Sequence, residues 1–386
     1  MKADWKKVKL GDLCEITSSK RFHLSERTKN GVPFYCTKEI LQKLRGEEDI
    51  DCDYIDEKFY LQIKEKFGVP VTDDLLLTTR GTIGFPYLYK DTDKFYFADG
   101  NLSWFRNFSN SINSHFLYYW FLSSLGKAGV DSIAKGTAQK AVPITGLGTL
   151  EISLPPLETQ QKIASILSAY DDLIENNRKQ IKLLEEAAQR LYKEWFVDLR
   201  FPGYENVAIV DGVPEGWRIE QLGSLLPIVT GKKDANFGTK DGMYPFFTCS
   251  QEPIKAPSYS FDANAILLAG NGDLNVKIFR GKFEAYQRTY VLVPNEQEHL
   301  FICYRTVQDN LRKLIHGASG STIKFITKGM IENIDVIIPQ DEILIKFNIL
   351  SDNILKKMEK LQRQIYLSQQ ARDKLLPRLM SGDMEV

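Results

Sequence analysis

The 386-residue sequence predicts an α+β fold in which one globular domain occurs twice, separated by two long helices that pair as an antiparallel coiled coil with pseudo-twofold symmetry. Three observations predict it. First, the chain repeats itself. Trp5 opens "WKKVKLGDLCEITSSK" and Trp217 opens "WRIEQLGSLLPIVTGK"; at that same offset Leu10-Gly11 falls on Leu222-Gly223, and "PFYC" at Pro33 falls on "PFFT" at Pro245. Further on the offset shortens: Gly136 meets Gly320, Lys140 meets Lys324 and Pro155 meets Pro339, so one half has gained or lost loop residues within a shared plan. Second, two segments, "LPPLETQQKIASILSAYDDLIENNRKQIKLLEE" from Leu154 and "IPQDEILIKFNILSDNILKKMEKLQRQI" from Ile338, each start at an apolar residue and a proline and run on with helical spacing. Third, the stretches between them hold short β-branched and aromatic runs bounded by Gly, Asp, Asn and Thr. The expected organisation is a first domain over 1–153, a long helix over 154–200, a second domain over 201–337 and a second long helix over 338–386.

The first domain offers strand candidates "VPFYCT", "DLLLTT" and "KFYFAD", and the second "PFFTCS", "NAILLAG" and "TYVLVP"; "SHFLYYWFLSSLG" and "EHLFICYRTVQDNLRKLI" read as helices between strands. The first long helix is expected from Pro156, which is tolerated in an opening turn, with Glu158 favourable for the helix dipole. Ile163, Tyr170, Asn177, Leu184 and Leu191 recur every seventh residue, with Leu167, Ile174, Ile181, Ala188 and Trp195 as a second row. Such a period implies a left-handed coiled coil. Running to Phe196, the helix would span about 60 Å, and "FPGYENV" then breaks it. Phe347, Ile354, Leu361 and Leu375 form the equivalent row of the second helix, with Ser368 as an exception, and that helix ends at "LPRLMSG", where Gly382 can cap. Asn177 in the core row either fixes register or is solvated at a helix crossing.

Composition narrows the class. Hydrophobic residues make up 43% and charged residues 26%, as in a soluble globular protein. The apolar runs are too short to cross a bilayer, the N-terminus has no signal-peptide pattern, and five scattered cysteines with no CxxC fit a reduced, cytoplasmic protein with no metal site. Lys plus Arg equals Asp plus Glu, 50 against 50, which argues against a sequence-independent nucleic-acid binder but not against clustered basic groups.

The loops carry the functional signal. "TSSKRF", with Ser19, Lys20 and Arg21, corresponds to "VTGKKDANF", with Lys232 and Lys233. "TTRGTIG", with Arg80 and Thr82, corresponds to "AGNGDLN", with Asn271 and Asn275. "AKGTAQK", with Lys135, Gln139 and Lys140, and "GASGSTIK", with Ser321 and Lys324, close the two domains, and Arg288 stands in "FEAYQRTYVL". Small hydroxyl residues and amides can approach phosphates, while Arg, Lys, Asn and Gln can read base edges. One such loop alone would be an ordinary polar surface; matching loops with different side chains in two diverged copies suit two sites for two different sequences. Catalytic signals are missing. No GxxxxGK[ST] loop is present, and "SLPPLE" lacks the amide and the ring of the adenine-methyltransferase Pro-Pro motif at Leu154 and Leu157, so it reads as a helix start. His23, His115, His299 and His316 stand alone.

A twice-repeated domain ending in "LPPLETQQKIASIL" and leading to "NNRKQIKLLEE" and "LYKEWFVDLRFPGYE", with "PEGWRIEQLGSL" in the second half, resembles the specificity subunit of Type I restriction-modification systems over essentially the whole chain. The second helix start, "IPQDEILIKF", departs from the usual Pro-Pro and Gln-Gln pattern. The resemblance implies that each globular half is a target recognition domain reading one half of a bipartite double-stranded DNA site. It implies that the helices dock two modification subunits, which carry S-adenosylmethionine and methylate adenine at N6. Two restriction subunits, using ATP and Mg, can join them, and this chain itself holds no cofactor and does no chemistry. Leu167, Ile174, Ile181, Leu184, Trp195, Phe347, Ile354 and Leu361 are then expected to be the docking residues. The alternative is a non-catalytic coiled-coil scaffold whose globular halves bind proteins.

Overall fold

The structure, a computed structural model, describes residues 5–47, 49–136, 140–317 and 325–386. It divides into two compact units: Met1–Asn177 with Arg363–Val386, and Arg178–Gln362. The unit boundaries therefore run through the long helices, Leu157–Tyr192 and Asp341–Met380, so each unit holds one globular domain and a stretch of both helices.

In the first unit, strand Lys6–Lys9 pairs antiparallel with Glu151–Leu154, Lys6 opposite Leu154. One four-stranded sheet runs in the order Glu15–Thr17, Leu102–Arg106, Leu75–Thr78, Pro86–Leu88, and a second in the order Arg27–Thr28, Asp53–Ile55, Val32–Tyr35, Tyr96–Phe97. Leu75, Leu76 and Leu77 are all buried because this central strand is covered on both faces. Leu75 and Leu77 face a core shared with Phe105, Phe116 and Phe121, and Leu76 faces one shared with Tyr35, Phe95 and Trp104. Helix Ser114–Leu122 is capped by Asn113, whose side chain accepts the Phe116 amide.

In the second unit, strand Arg218–Gln221 pairs antiparallel with Asp335–Ile338, Arg218 opposite Ile338. This is the first unit's register carried over at both offsets found in the sequence. The amides of Leu10 and Leu222, both fully buried, likewise donate to Leu150 and Ile334 in equivalent turns. A six-stranded sheet follows in the order Ile228–Thr230, Thr289–Leu292, Phe261–Ala269, Val276–Ala285, Tyr244–Phe247, Ile254–Ala256. Helix Leu300–Gly317 packs on it through Ile302, Cys303 and Val307.

The helices pair within each unit. In the first, Ile163 and Leu167 share a core with Leu379 and Met380, while Asp171 meets Arg372 at 2.5 Å and Asn177 donates to Gln364 at 3.5 Å. Residues later in one helix thus meet residues earlier in the other, the antiparallel sense. The buried Asn177 is satisfied across the seam by an exposed glutamine. In the second unit Trp195 and Phe196, in the π-helical turn Lys193–Val197, lie 6.1 and 4.8 Å from Phe347, ring centre to ring centre.

This packing corrects the docking residues read from the sequence. Leu167, Ile174, Trp195, Phe347 and Leu361 are buried inside the chain, and Ile181, Leu184 and Ile354 are half-buried beside them. The seven-residue stripe finds its partner within the same chain, so it is a seam rather than an exposed face. The exposed large apolar side chains on these helices lie off the stripe: Leu157, Leu173 and Leu183 on the first, and Ile345, Ile349, Leu350, Tyr366 and Leu367 on the second. Gln160 explains the polar start of the first helix. It is fully buried, accepts the Asn113 amide at 2.9 Å and donates to the carbonyls of Ser111 and Pro155 at 2.9 and 2.8 Å. With its donor and acceptor both used, burial carries little penalty and the helix start is fixed on the domain.

Candidate nucleic-acid interface

Each unit builds the same loop cluster from the same backbone bonds. In the first, strand Leu75–Thr78 ends and the chain turns through Arg80 and Gly81, the glycine at φ +75°. In the second, strand Phe261–Ala269 ends and the chain turns through Asn271 and Gly272, the glycine at φ +67°. Only a residue without a side chain adopts this left-handed conformation freely, so both copies need glycine directly after the polar residue. Arg80 bridges to Ala141, and Asn271 bridges to Phe325. The carbonyl of Thr79 accepts the Val142 amide at 2.8 Å, and that of Gly270 accepts the Ile326 amide at 2.9 Å. Arg80 and Asn271 are therefore the same structural position, held by the loop that closes each domain.

The first unit's cluster is further tied by Thr37, whose hydroxyl donates to the Arg80 carbonyl at 3.1 Å. Arg80 and Thr82 are exposed, and among the described residues the Arg80 guanidinium has no hydrogen-bond or ion-pair partner. Lys20 and Arg21 are exposed, and the Lys20 backbone is pinned by its amide to the Tyr96 hydroxyl at 2.8 Å. Lys135 and Lys140 are exposed on paired backbone, and the Lys140 ammonium lies 3.3 Å from Asp131. Ser19 is buried with its hydroxyl unpartnered among the described residues, so it does not present itself to a ligand.

In the second unit Lys232 and Arg288 are exposed, and Lys233 is half-buried with its ammonium 4.4 Å from the centre of the Phe237 ring. Gly231 lets this loop lie directly on strand Val276–Ala285, because a Cβ there would meet the Ala285 carbonyl at 2.0 Å. Asn271 is half-buried, and its Oδ1 accepts the Cys249 thiol at 2.9 Å. Asn275 has a different role from the one read from the sequence. It is 7% exposed, its amide nitrogen donates to the carbonyls of Cys249 and Asp273, and its oxygen accepts the Lys277 ammonium, so it holds the loop from inside. Lys277, which the sequence reading passed over, also donates to the Ser250 carbonyl at 2.9 Å, and burial lowers its pKa. The only signal for it was a lone lysine in "LNVKIFR", directly after the loop. Gln139, Ser321 and Lys324 lie outside the described residues.

Among the described residues no group of three or more His, Cys, Asp and Glu side chains could hold a metal ion, and no helix is long and apolar enough to cross a membrane. Two copies of one scaffold, each presenting different cationic and amide side chains from equivalent loops, define a duplicated DNA-specificity protein. The family model described as the Type I restriction modification DNA specificity domain matches residues 2–186 and again 214–376, and the chain belongs to that family as a specificity subunit with two specificity domains. It is 27% identical to the Type I restriction enzyme MjaIX specificity subunit of Methanocaldococcus jannaschii, over 99% of this chain and 94% of that one. It is 37% identical to the EcoDI specificity subunit of Escherichia coli, over 45% of this chain and 39% of that one. A solved structure of a Type I restriction-modification S subunit from M. genitalium shares the fold at a TM-score of 0.63 and 15% identity, covering 98% of this chain and 96% of the other.

Proposed function

We propose that each unit reads one half of a bipartite, asymmetric double-stranded DNA site, and that the chain is non-catalytic and acts by positioning other subunits. The observation that carries this reading is the pair Arg80 and Asn271: one structural position, fixed by the same bridge, filled by two side chains that suit different bases. The long helices dock two modification subunits, which hold S-adenosylmethionine and methylate adenine at N6, and two restriction subunits using ATP and Mg join them for cleavage. The docking surfaces lie on the exposed helix faces outside the seam of each unit, at Leu173 in the first and at Leu183, Ile345, Ile349 and Leu350 in the second. The compartment is the cytoplasm.

The test is methylation by the complex of this chain with its modification subunit. Replacing Lys20, Arg21 and Arg80 should weaken or alter one half-site only, and replacing Lys232, Lys233 and Asn271 the other. If both sets damage the same half-site, one unit does not correspond to one half-site.

A further inference from the structure

The loop clusters hold more than a division of labour, because the two equivalent side chains differ in what they can recognise. Arg80 is exposed at the tip of its turn, its carbonyl anchored by Thr37 and its guanidinium unpartnered among the described residues. A planar fork of donors matches the O6 and N7 acceptors of guanine in the major groove. Asn271 offers one amide. Its Oδ1 accepts the Cys249 thiol, which leaves a second lone pair on that oxygen, and the Nδ2 hydrogens have no partner among the described residues. One free acceptor beside a free donor is what the N6 donor and N7 acceptor of adenine require. In this arrangement the thiol donates to Oδ1 and so favours the amide orientation that leaves the Nδ2 hydrogens free. Cys249 is itself held in place: its carbonyl accepts from the buried Asn275, and Asn275 is fixed by Lys277.

We propose that Arg80 recognises a guanine in one half-site and Asn271 an adenine in the other, each through the major-groove edge, with Cys249 as the residue that positions the Asn271 amide. The proposal rests on the reading of one unit per half-site given above. It predicts that the two half-sites differ in the purine read at this shared position, and that the thiol influences the second half-site alone.

The experiment uses the complex of the full chain with its modification subunit, on duplexes carrying the methylation site that the complex recognises. One purine at a time is replaced by its 7-deaza analogue, which removes N7 and leaves Watson–Crick pairing intact. In the wild type, a 7-deazaguanine at one position of the first half-site and a 7-deazaadenine at one position of the second should each weaken binding by roughly tenfold. Arg80→Ala should erase the guanine effect and leave the adenine effect, and Asn271→Ala should do the reverse. Each variant's untouched half-site reports that the protein is folded. Cys249→Ser, which keeps a donor, should preserve the adenine effect, and Cys249→Ala should reduce it. If the deaza pattern is the same in wild type and in both alanine variants while the half-sites stay separately assigned, the base assignment is wrong and the half-site reading stands. If Arg80→Ala and Asn271→Ala alter the same half-site, the half-site reading itself fails. Equal behaviour of Cys249→Ser and Cys249→Ala would remove Cys249 from the assignment.

Discussion

Arg372 of the second long helix donates to Asp171 of the first at 2.5 Å, and the same carboxylate accepts the hydroxyl of Tyr119, on the globular domain, at 2.7 Å. Three elements of the first unit therefore meet at one carboxylate. Burial, and then the charge of Asp171, push the Tyr119 hydroxyl pKa up, so it remains a donor at every physiological pH. Arg372→Met should remove the cation and leave Asp171 dependent on Tyr119 and water. The expected loss is about 1–3 kcal/mol of stability in the first unit. Tyr119→Phe combined with Arg372→Met should cost a different amount from the sum of the single changes, because both act on one acceptor. Urea unfolding of the four proteins in that cycle measures this; additive losses would mean the three groups are not coupled.

Phe347 separates an internal role from a docking role. It is fully buried and packs against Trp195 and Phe196 of the other helix. Phe347→Ala should therefore destabilise the free chain by about 3–5 kcal/mol, through lost burial and the cavity left behind. Chemical denaturation without any partner is the measurement. Unchanged stability with impaired assembly would restore Phe347 as a docking residue.

The repeat, the strand candidates and the helix starts were legible in the sequence because they are periodic or duplicated. Lys6–Lys9 and Arg218–Gln221 take one register with their partner strands for the same reason that Leu10-Gly11 aligns with Leu222-Gly223. The strand Val276–Ala285 was not legible, since charged residues and Gly281 interrupt its alternation and its pairing with Phe261–Ala269 is long-range. The heptad rows marked positions that are buried or half-buried, but period alone does not say whether the covering surface belongs to the same chain. At the site, the sequence pointed to the loops and missed which side chains are free. Asn275 and Lys277 have the composition of DNA-contacting residues, and only their positions show that they bond to each other and to the carbonyls of Cys249, Asp273 and Ser250.

Asp352 links its helix to the second domain through Arg280 at 2.7 Å and also pairs with Lys356, one turn along the same helix, at 2.8 Å. The hydrogen bond from Lys356, together with that from Arg280, holds the carboxyl below its ordinary value of 3.8 against the opposing effect of burial. A folded-state pKa below the unfolded one means the stabilisation is fully present above that ordinary value and is lost as the pH falls through the folded value. Asp352→Asn should therefore lower stability at neutral pH, and the two proteins should converge as the pH falls below about 4. The difference should be small and should shrink in high salt, because the pair is partly exposed. Melting temperatures across the acid range test it; a constant gap down to low pH would assign the effect to something other than the charge.

Phosphate contacts and base contacts should separate in their salt dependence. Lys20 and Lys232 occupy corresponding loops of the two units, both are exposed, and neither has an ion-pair partner among the described residues. A lysine that neutralises a phosphate releases close to one condensed counterion, so removing it should reduce the magnitude of the slope of log K against log salt by about 1. Lys20→Ala and Lys232→Ala should each do this without changing which bases are preferred. Lys140 provides the contrast. Its ammonium lies beside Asp131, so part of its charge is already compensated in the free protein and Lys140→Ala should change the slope by less. Arg80→Ala should act mainly on sequence preference. Equilibrium binding of the complex to cognate and scrambled duplexes at four or five salt concentrations distinguishes these cases. A Lys20→Ala variant that keeps the wild-type slope but changes base preference would make Lys20 a base-reading residue instead.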